Sequence, residues 1–309
     1  MSKEPFFKDL KPLSQIAIFL GLIFLGLFLF SLISTGIVAM VFNMSLDKIQ
    51  ALNEYLDHPD TIQALKLIQS LSQIGIFILP PLIFVKLTQR KSIKEYFRLY
   101  RADHYTTYLW AVVGVFTIMP FIGILIQWNL NLALPESMAG IEDWMKRSEE
   151  STNNIMKAFL DVSSITGVMI NLFVIAVLPA IGEELLFRGG LQQIMHKSGI
   201  NKHIAIILTA ILFSAFHMQF YGFLPRFALG LVLGYAFYLT GNLWVPIIMH
   251  FINNGFSVIA SYLFYNGTIN ENYDEIGITQ KVIPVLLSLV LTIYVLWRLR
   301  QNEQVKSII

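Results

Sequence analysis

Residues 174–188 are the most informative part of the chain, and they read Val174-Ile-Ala-Val-Leu-Pro-Ala-Ile-Gly-Glu-Glu-Leu-Leu-Phe-Arg188. The run is apolar enough for a lipid bilayer, yet it contains Glu183, Glu184 and Arg188. A carboxylate at membrane depth costs roughly 3 kcal/mol on insertion scales, so an ionisable residue there indicates a functional site. The question that follows is which other polar residues act with the two glutamates.

The composition is that of a membrane protein. Of 309 residues, 55% are hydrophobic and 14% are charged, whereas soluble domains are about 45–50% apolar. The net charge is +2 and no Lys/Arg block resembles a nucleic-acid patch, so we expect no nucleic-acid partner. The chain contains no cysteine, which excludes disulfides, thiolate metal sites and a cysteine nucleophile. The N-terminal apolar run is too long for a signal peptide and is expected to be an uncleaved span.

The lengths of the apolar runs predict an all-α polytopic membrane fold, because about 20 apolar residues cross a bilayer as a helix. Eight spans are expected, at about 13–41, 67–87, 108–134, from 165 onward, 203–218, 223–239, 243–264 and 282–299. Residues 45–63 and 141–159 resemble amphipathic helices at the membrane surface. The chain then divides into an N-terminal transmembrane region at 1–160, a catalytic helical core at 161–265, and an outer loop, last span and basic tail at 266–309.

The charged residues predict the orientation, because Lys and Arg concentrate on the cytoplasmic side of membrane proteins. In the eight-span arrangement one side carries Lys3, Lys8, Lys11, Lys86, Arg90, Lys91, Lys94, Arg98, Arg101, Lys197, Lys202, Arg298, Arg300 and Lys306. The other side carries Asp57, Asp60, Glu136, Glu142, Asp143, Glu149, Glu150, Glu271, Asp274 and Glu275. We therefore expect both termini in the cytoplasm and a multi-pass protein of the cytoplasmic membrane.

The spacing of the polar residues predicts which of them meet. Glu183 precedes Gly199 by 16 positions and His217 follows it by 18, so in a hairpin of two helices both lie roughly 24–27 Å from the turn. Glu183 and His217 are therefore expected at the same height. His250 and Asn254, like Glu184 and Arg188, are four residues apart and share a helix face. Proline and glycine just before the glutamates, at Pro179 and Gly182, and the pair Pro80-Pro81 are expected to distort their helices.

These side chains suit hydrolysis of a peptide bond, which needs an activated water and donors for the oxyanion. Glu183 and His217 can hold and deprotonate a water, and His250 and Asn254 can supply the donors. Glu184 and Arg188 would support Glu183, and Arg226 is a candidate contact for the substrate. A structural reading stays open for each group: an ion pair for Glu184 with Arg188, helix contacts for His250 with Asn254, and an interfacial position for Arg226 rather than a contact with substrate.

The same residues resemble the motifs of the CPBP family of intramembrane proteases. The motifs are Glu183-Glu184-x-x-x-Arg188, Phe213-x-x-x-His217 and His250-x-x-x-Asn254, within residues 170–257. The family comprises CAAX-type prenyl endopeptidases and bacteriocin-processing or immunity proteins, also described as abortive-infection-like. The resemblance implies that Glu183 is the catalytic glutamate, that His217 activates water, and that His250 and Asn254 bind the oxyanion.

Other functional classes remain open as alternatives. The first is a non-proteolytic peptide-binding or bacteriocin-immunity protein of the same fold, and the second is a proton-coupled transporter that uses the glutamates. His-Glu-x-x-His is absent, and we expect no cofactor. A zinc ion on Glu183, His217 and His250 is the less favoured alternative. The expected partners are the lipid bilayer and a membrane-associated peptide or protein substrate.

Overall fold

The computed structural model describes residues 4–7, 10–270, 279 and 281–302, and within these residues the protein is helical without strands. Nine long helices lie in this described part: α1 Pro12–Phe42, α2 Pro59–Thr88, α3 Thr106–Leu130, α4 Ala139–Leu160, α5 Ile165–Lys197, α6 Lys202–Ala215, α7 Phe223–Thr240, α8 Trp244–Tyr265 and α9 Val282–Asn302. The all-α polytopic membrane class is therefore confirmed.

Seven of the helices in the described part, all except α4 and α6, are long and apolar enough to cross a bilayer. The predicted fifth span is helix α6, which has 14 residues and ends at Ala215 rather than Met218. At 1.5 Å per residue it is about 21 Å long, shorter than the hydrocarbon core of about 30 Å. The count of eight spans is therefore not confirmed.

The two surface helices expected between the spans have different outcomes. Residues 141–159 do form a helix, since they lie inside α4. Residues 45–63 do not form one continuous helix: a short helix Leu46–Gln50 and a 3₁₀ turn Leu52–Glu54 precede α2. Helix α2 begins already at Pro59, because a proline at the first helical position has its φ angle preset and needs no N–H partner.

The orientation of the helices in the membrane, and the division at residues 160 and 265, stay predictions. Part of the charge pattern behind them, and part of the predicted outer loop and basic tail, lie outside the described residues. The charged residues concerned are Lys3, Lys8, Glu271, Asp274, Glu275 and Lys306.

Helix α2 has a π-helical turn where it meets α5, and α5 has a π-helical turn on each side of that contact. In α2 the π turn is Gln73–Ile78, directly before Pro80-Pro81. In α5 the π turns are Leu172–Val177 and Leu185–Gln192, and the helical segment Leu178–Glu184 lies between them. The distortions expected near the prolines are present. Proline removes the hydrogen bond to the carbonyl four residues earlier, and π turns occur often at functional sites.

Small residues bring α7 close to α5 and α6. A Cβ on Gly230 would lie 3.1 Å from Cβ of Ala210, and one on Gly234 would lie 2.9 Å from Cγ2 of Ile206. The carbonyls of both glycines accept hydrogen bonds from α5: Arg188 Nη2 donates to Gly230 at 3.0 Å, and Gln192 Nε2 donates to Gly234 at 3.1 Å. Small residues at helix contacts permit this close approach in membranes. The contact holds the functional segment of α5 against α7.

Candidate active site

The two glutamates lie at the end of the α5 segment Leu178–Glu184, and both are buried. Glu184 has no solvent-exposed surface and Glu183 is 5% exposed. Besides Arg188 of α5 itself, their partners come from α2, α8 and the turn after α6, which are separate parts of the chain. Buried carboxylates need such partners, because an unpaired charge inside a protein is strongly unfavourable.

Glu184 is the centre of a buried ionic cluster. Its Oε1 atom accepts hydrogen bonds from Nη1 of Arg188 at 2.7 Å and from Nδ1 of His250 at 2.9 Å. The expected pair of Glu184 with Arg188 is thus present, and His250 is a partner that helix spacing did not indicate. The guanidinium also lies over the ring of Phe213, 4.5 Å from its centroid, a cation–π contact. Together with the hydrogen bond to the Gly230 carbonyl, these contacts hold Arg188 from three sides.

Glu183 uses its two oxygens differently. Oε1 accepts a hydrogen bond from Nε2 of Gln73 on α2 at 3.3 Å. Oε2 is buried and accepts no hydrogen bond from any of the described residues. It lies 4.0 Å from Nε2 of His217 and 3.9 Å from Nε2 of His250. Both distances are too long for a direct hydrogen bond, so Oε2 is the oxygen available to a third group.

His217 lies in the turn after α6 rather than on the helix, because α6 ends at Ala215. Its Nδ1 atom lies 2.9 Å from the carbonyl oxygen of Phe213. A carbonyl can only accept, so Nδ1 carries the hydrogen, and Nε2 is the acceptor in the neutral ring. The next residue, Met218, has a φ of +53°, a conformation that L-residues rarely adopt. The side chain of His217 is 29% exposed and that of His250 is 4% exposed, so His217 is the more accessible of the two histidines.

Asn254 compensates for the proline in α5. Pro179 has no N–H for the carbonyl of Ile175 four residues earlier. The side-chain amide of Asn254 donates to that carbonyl at 3.0 Å. Its oxygen accepts from the side chain of Asn253 at 3.1 Å. One N–H of Asn254 thus has a structural partner, while the second is the donor that an oxyanion could use.

A cavity of about 560 Å³ adjoins these residues. Its wall contains four of the predicted site residues as well as Arg226: Glu183, His217, His250 and Asn254. Most of the remaining wall is apolar and comes from α2, α4 and α5, through residues such as Leu65, Ile68, Ile76, Ile155, Met156 and Phe187. A mostly apolar cavity with a few convergent polar groups is the usual form of a binding site.

Arg226 lines the cavity, but the hydrogen bonds of its guanidinium go to Gln219 rather than to the buried carboxylates. Its guanidinium donates to the side-chain oxygen of Gln219, and Nη1 donates to the backbone carbonyl of Gln219 at 3.4 Å. Gln219 in turn donates to Glu149 on α4 at 3.2 Å. The arginine therefore fastens the turn after α6, and its contact with substrate stays a prediction.

Among the described residues no group of three His, Cys, Asp or Glu is arranged to hold a metal ion. The candidates for the zinc alternative are Oε2 of Glu183 and the Nε2 atoms of His217 and His250. Ligands of tetrahedral zinc at 2.0–2.1 Å lie about 3.3 Å from each other. The separations from the glutamate oxygen are 3.9 and 4.0 Å, which is wider than such a site requires.

Sequence reasoning missed the two polar residues of the cavity wall that hydrogen-bond to the side chains of Glu183 and Asn254. Gln73 is 4% exposed and donates to Glu183, and Asn253 neighbours Asn254. The sequence did contain a sign that Gln73 is functional, since it is a polar side chain within an apolar span. Nothing in the sequence showed that it meets a residue 110 positions away.

Comparison with known proteins finds a family model that matches the part of the chain holding the predicted site residues. Residues 165–256 match the family described as Type II CAAX prenyl endopeptidase Rce1-like, which confirms the resemblance seen in the motifs. A similar curated protein is "Uncharacterized protein YpbD" of Bacillus subtilis (strain 168), 30% identical over 105 residues. The alignment covers 33% of this chain and 50% of that protein. The chain thus spans about half the length of the curated relative. No solved structure matches the chain.

Proposed function

We propose that this chain, whose residues 165–256 match the Rce1-like family, is an intramembrane endopeptidase of the cytoplasmic membrane. It would hydrolyse a peptide bond in a membrane-associated protein or peptide. One observation supports this most directly: Oε2 of Glu183 lies 4.0 and 3.9 Å from the Nε2 atoms of two histidines, at the wall of an apolar cavity.

The first step is activation of water. A water about 2.8 Å from both Oε2 of Glu183 and Nε2 of His217 is compatible with their 4.0 Å separation. Because Nδ1 of His217 donates to the Phe213 carbonyl, Nε2 accepts one hydrogen of this water, and Glu183 accepts the other. The lone pairs of the water oxygen are then available to attack a peptide carbonyl.

The next steps form a C–O bond, move one proton to Glu183 and then to the leaving nitrogen, and break the C–N bond. The water oxygen bonds to the carbonyl carbon, its proton moves to Glu183, and the carbonyl oxygen becomes an oxyanion. The free N–H of Asn254 and Nε2–H of His250 stabilise this charge. His250 donates from both ring nitrogens only as an imidazolium, which Glu184 stabilises at Nδ1. Glu183 then gives its proton to the leaving nitrogen as the C–N bond breaks.

A divalent metal is the second candidate for water activation, because one observation favours it. The Nδ1 atoms of His217 and His250 bind a carbonyl and a carboxylate, as in histidines that hold a metal through Nε2. A metal on Glu183, His217 and His250 would act as a Lewis acid toward water. We favour the metal-free reaction because the ligand separations exceed those of tetrahedral zinc.

The decisive experiment compares membrane peptides in cells that carry the wild type, Glu183→Ala or the matched control Glu150→Ala. Glu150 is an exposed glutamate of α4, so its loss should leave the peptides as in the wild type. We expect substrate peptides to persist uncleaved with Glu183→Ala. With a peptide-binding protein or a transporter, the cleavage of membrane peptides would be the same in the wild type and in a folded Glu183→Ala variant, and that outcome would overturn the proposal.

A further inference from the structure

Gln73 is a buried polar residue inside α2, one of the helices long and apolar enough to cross a membrane. It lies at the start of the π turn Gln73–Ile78 of α2 and is 4% exposed. A buried amide in a membrane helix is unfavourable unless it has partners. Its side-chain oxygen has no hydrogen-bond partner among the described residues. The amide nitrogen is therefore the atom through which the side chain forms its hydrogen bond.

The donor side binds the proposed catalytic base. Nε2 of Gln73 donates to Oε1 of Glu183 at 3.3 Å. The terminal carboxylate of a glutamate rotates over a broad range of angles, so either oxygen could turn toward the histidines. A hydrogen bond to one oxygen restricts that rotation. With Oε1 bound to Gln73, Oε2 is the oxygen 3.9–4.0 Å from His217 and His250.

A glycine in α5 and the π turn in α2 allow the two helices to form this contact. A Cβ on Gly182 would lie 2.9 Å from Cβ of Phe77, 3.2 Å from Cγ1 of Ile78 and 3.4 Å from Oε1 of Gln73. The missing side chain at Gly182 therefore lets α2 approach α5 directly beside Glu183. The π turn of α2 occupies the same stretch, and such turns change the direction of side chains within a helix.

We propose that Gln73 is a positioning residue, which holds the Glu183 carboxylate with one oxygen toward the histidines and the substrate. The proposal rests on the proposed peptidase function for its effect on rate, whereas the contact itself can be measured without activity. It adds a residue from outside the matched segment 165–256 to the proposed site.

The experiment uses the full chain in lipid vesicles with an internally quenched apolar peptide as the probe. Gln73→Met keeps the side-chain length and removes the donor. Gln63→Met is the control, because Gln63 is an exposed residue of the same helix α2 that does not line the cavity. We expect kcat of Gln73→Met to fall about 10- to 100-fold with KM within about twofold, as for a misplaced catalytic group. The control should keep kcat within about twofold of the wild type.

A second variant separates positioning from packing. In Gln73→Glu, a carboxyl group can donate to Glu183 only when it holds a proton, as in paired carboxylates that share one. The pH optimum of this variant should therefore move to lower pH, a change that loss of packing would not cause. If Gln73→Met does not fold, the pH profile of Gln73→Glu distinguishes positioning from packing. An optimum at lower pH would support the proposal, and an unchanged optimum would overturn it.

Infrared spectroscopy tests the contact apart from hydrolysis. The carboxylate band of Glu183, assigned by comparison with Glu183→Gln, should change frequency in Gln73→Met because one hydrogen bond is lost. A band unchanged from the wild type contradicts the contact, and a raised KM with unchanged kcat would make Gln73 a substrate contact instead. If the wild type cleaves no peptide while the band does change, the proposed function fails and the contact stands.

Discussion

Nδ1 of His250 lies 2.9 Å from Oε1 of Glu184, the oxygen that also accepts a hydrogen bond from Arg188 at 2.7 Å. The second glutamate of the pair therefore does more than neutralise the arginine. It orients a histidine 66 residues away and leaves Nε2 of that histidine near Oε2 of Glu183. The two adjacent glutamates thus have different roles, since Glu184 organises charge whereas Glu183 has an oxygen for chemistry.

Replacement of Glu184 should destabilise the protein more than replacement of Glu183. Glu184→Gln leaves the buried Arg188 without its negative partner, and loss of one partner of a buried pair costs about 3–5 kcal/mol. Glu183→Gln keeps the Arg188 pair intact and is the matched control. Thermal unfolding of both purified variants in detergent measures the difference. Equal unfolding temperatures would contradict a central role of Glu184 in the fold.

Glu183→Gln should abolish hydrolysis while the fold is retained. An amide cannot take the proton of water, and loss of a general base lowers the rate about 10²–10⁴-fold. The measurement is cleavage of an internally quenched peptide in lipid vesicles at matched protein amounts. Substantial cleavage by this variant would show that another group activates the water.

His217→Ala should lower kcat with little change in stability, because the side chain is 29% exposed and makes its hydrogen bond to a backbone carbonyl. We expect a loss of about 10²-fold, because Nε2 of the ring accepts a hydrogen bond from the attacking water and positions it. His203→Ala is the control, since that ring bonds to Tyr235 at 2.9 Å on the surface of α6. A similar loss of activity in both variants would argue against a specific role for His217.

Gly182→Ala should loosen the contact between α2 and α5. The added Cβ would meet Phe77 at 2.9 Å and Ile78 at 3.2 Å, and such overpacking costs about 1–3 kcal/mol. We expect a lower unfolding temperature and slower hydrolysis, because α2 carries Gln73. Gly36→Ala is the control, since a Cβ there has nothing within 4 Å. An unfolding temperature like that of the control would contradict the close approach at Gly182.

Removal of divalent metals should leave hydrolysis unchanged if the reaction proceeds as proposed. The measurement is peptide cleavage before and after exhaustive chelation, together with metal analysis of the purified protein. Loss of activity that zinc restores, in a protein that retains its fold, would favour the metal alternative on Glu183, His217 and His250.

Local features of the chain could be predicted well, because they depend on neighbouring residues. The length of apolar runs predicted most helices within a few residues, and four-residue spacing predicted the pair of Glu184 with Arg188. Helix α6 was predicted too long, because its apolar composition continues past Ala215 while the backbone turns at Met218. Hydropathy does not record that change of direction.

The sequence by itself determined the membrane class, the helices and the three motifs, since hydrophobicity and helix periodicity act over short distances. Only the tertiary structure decided which oxygen of Glu183 is free, that His250 belongs to Glu184, and that Gln73 reaches the site. Those contacts join residues 66 and 110 positions apart. They depend on how closely α2, α5 and α8 pack, which glycines and π turns control through shape rather than through any local pattern.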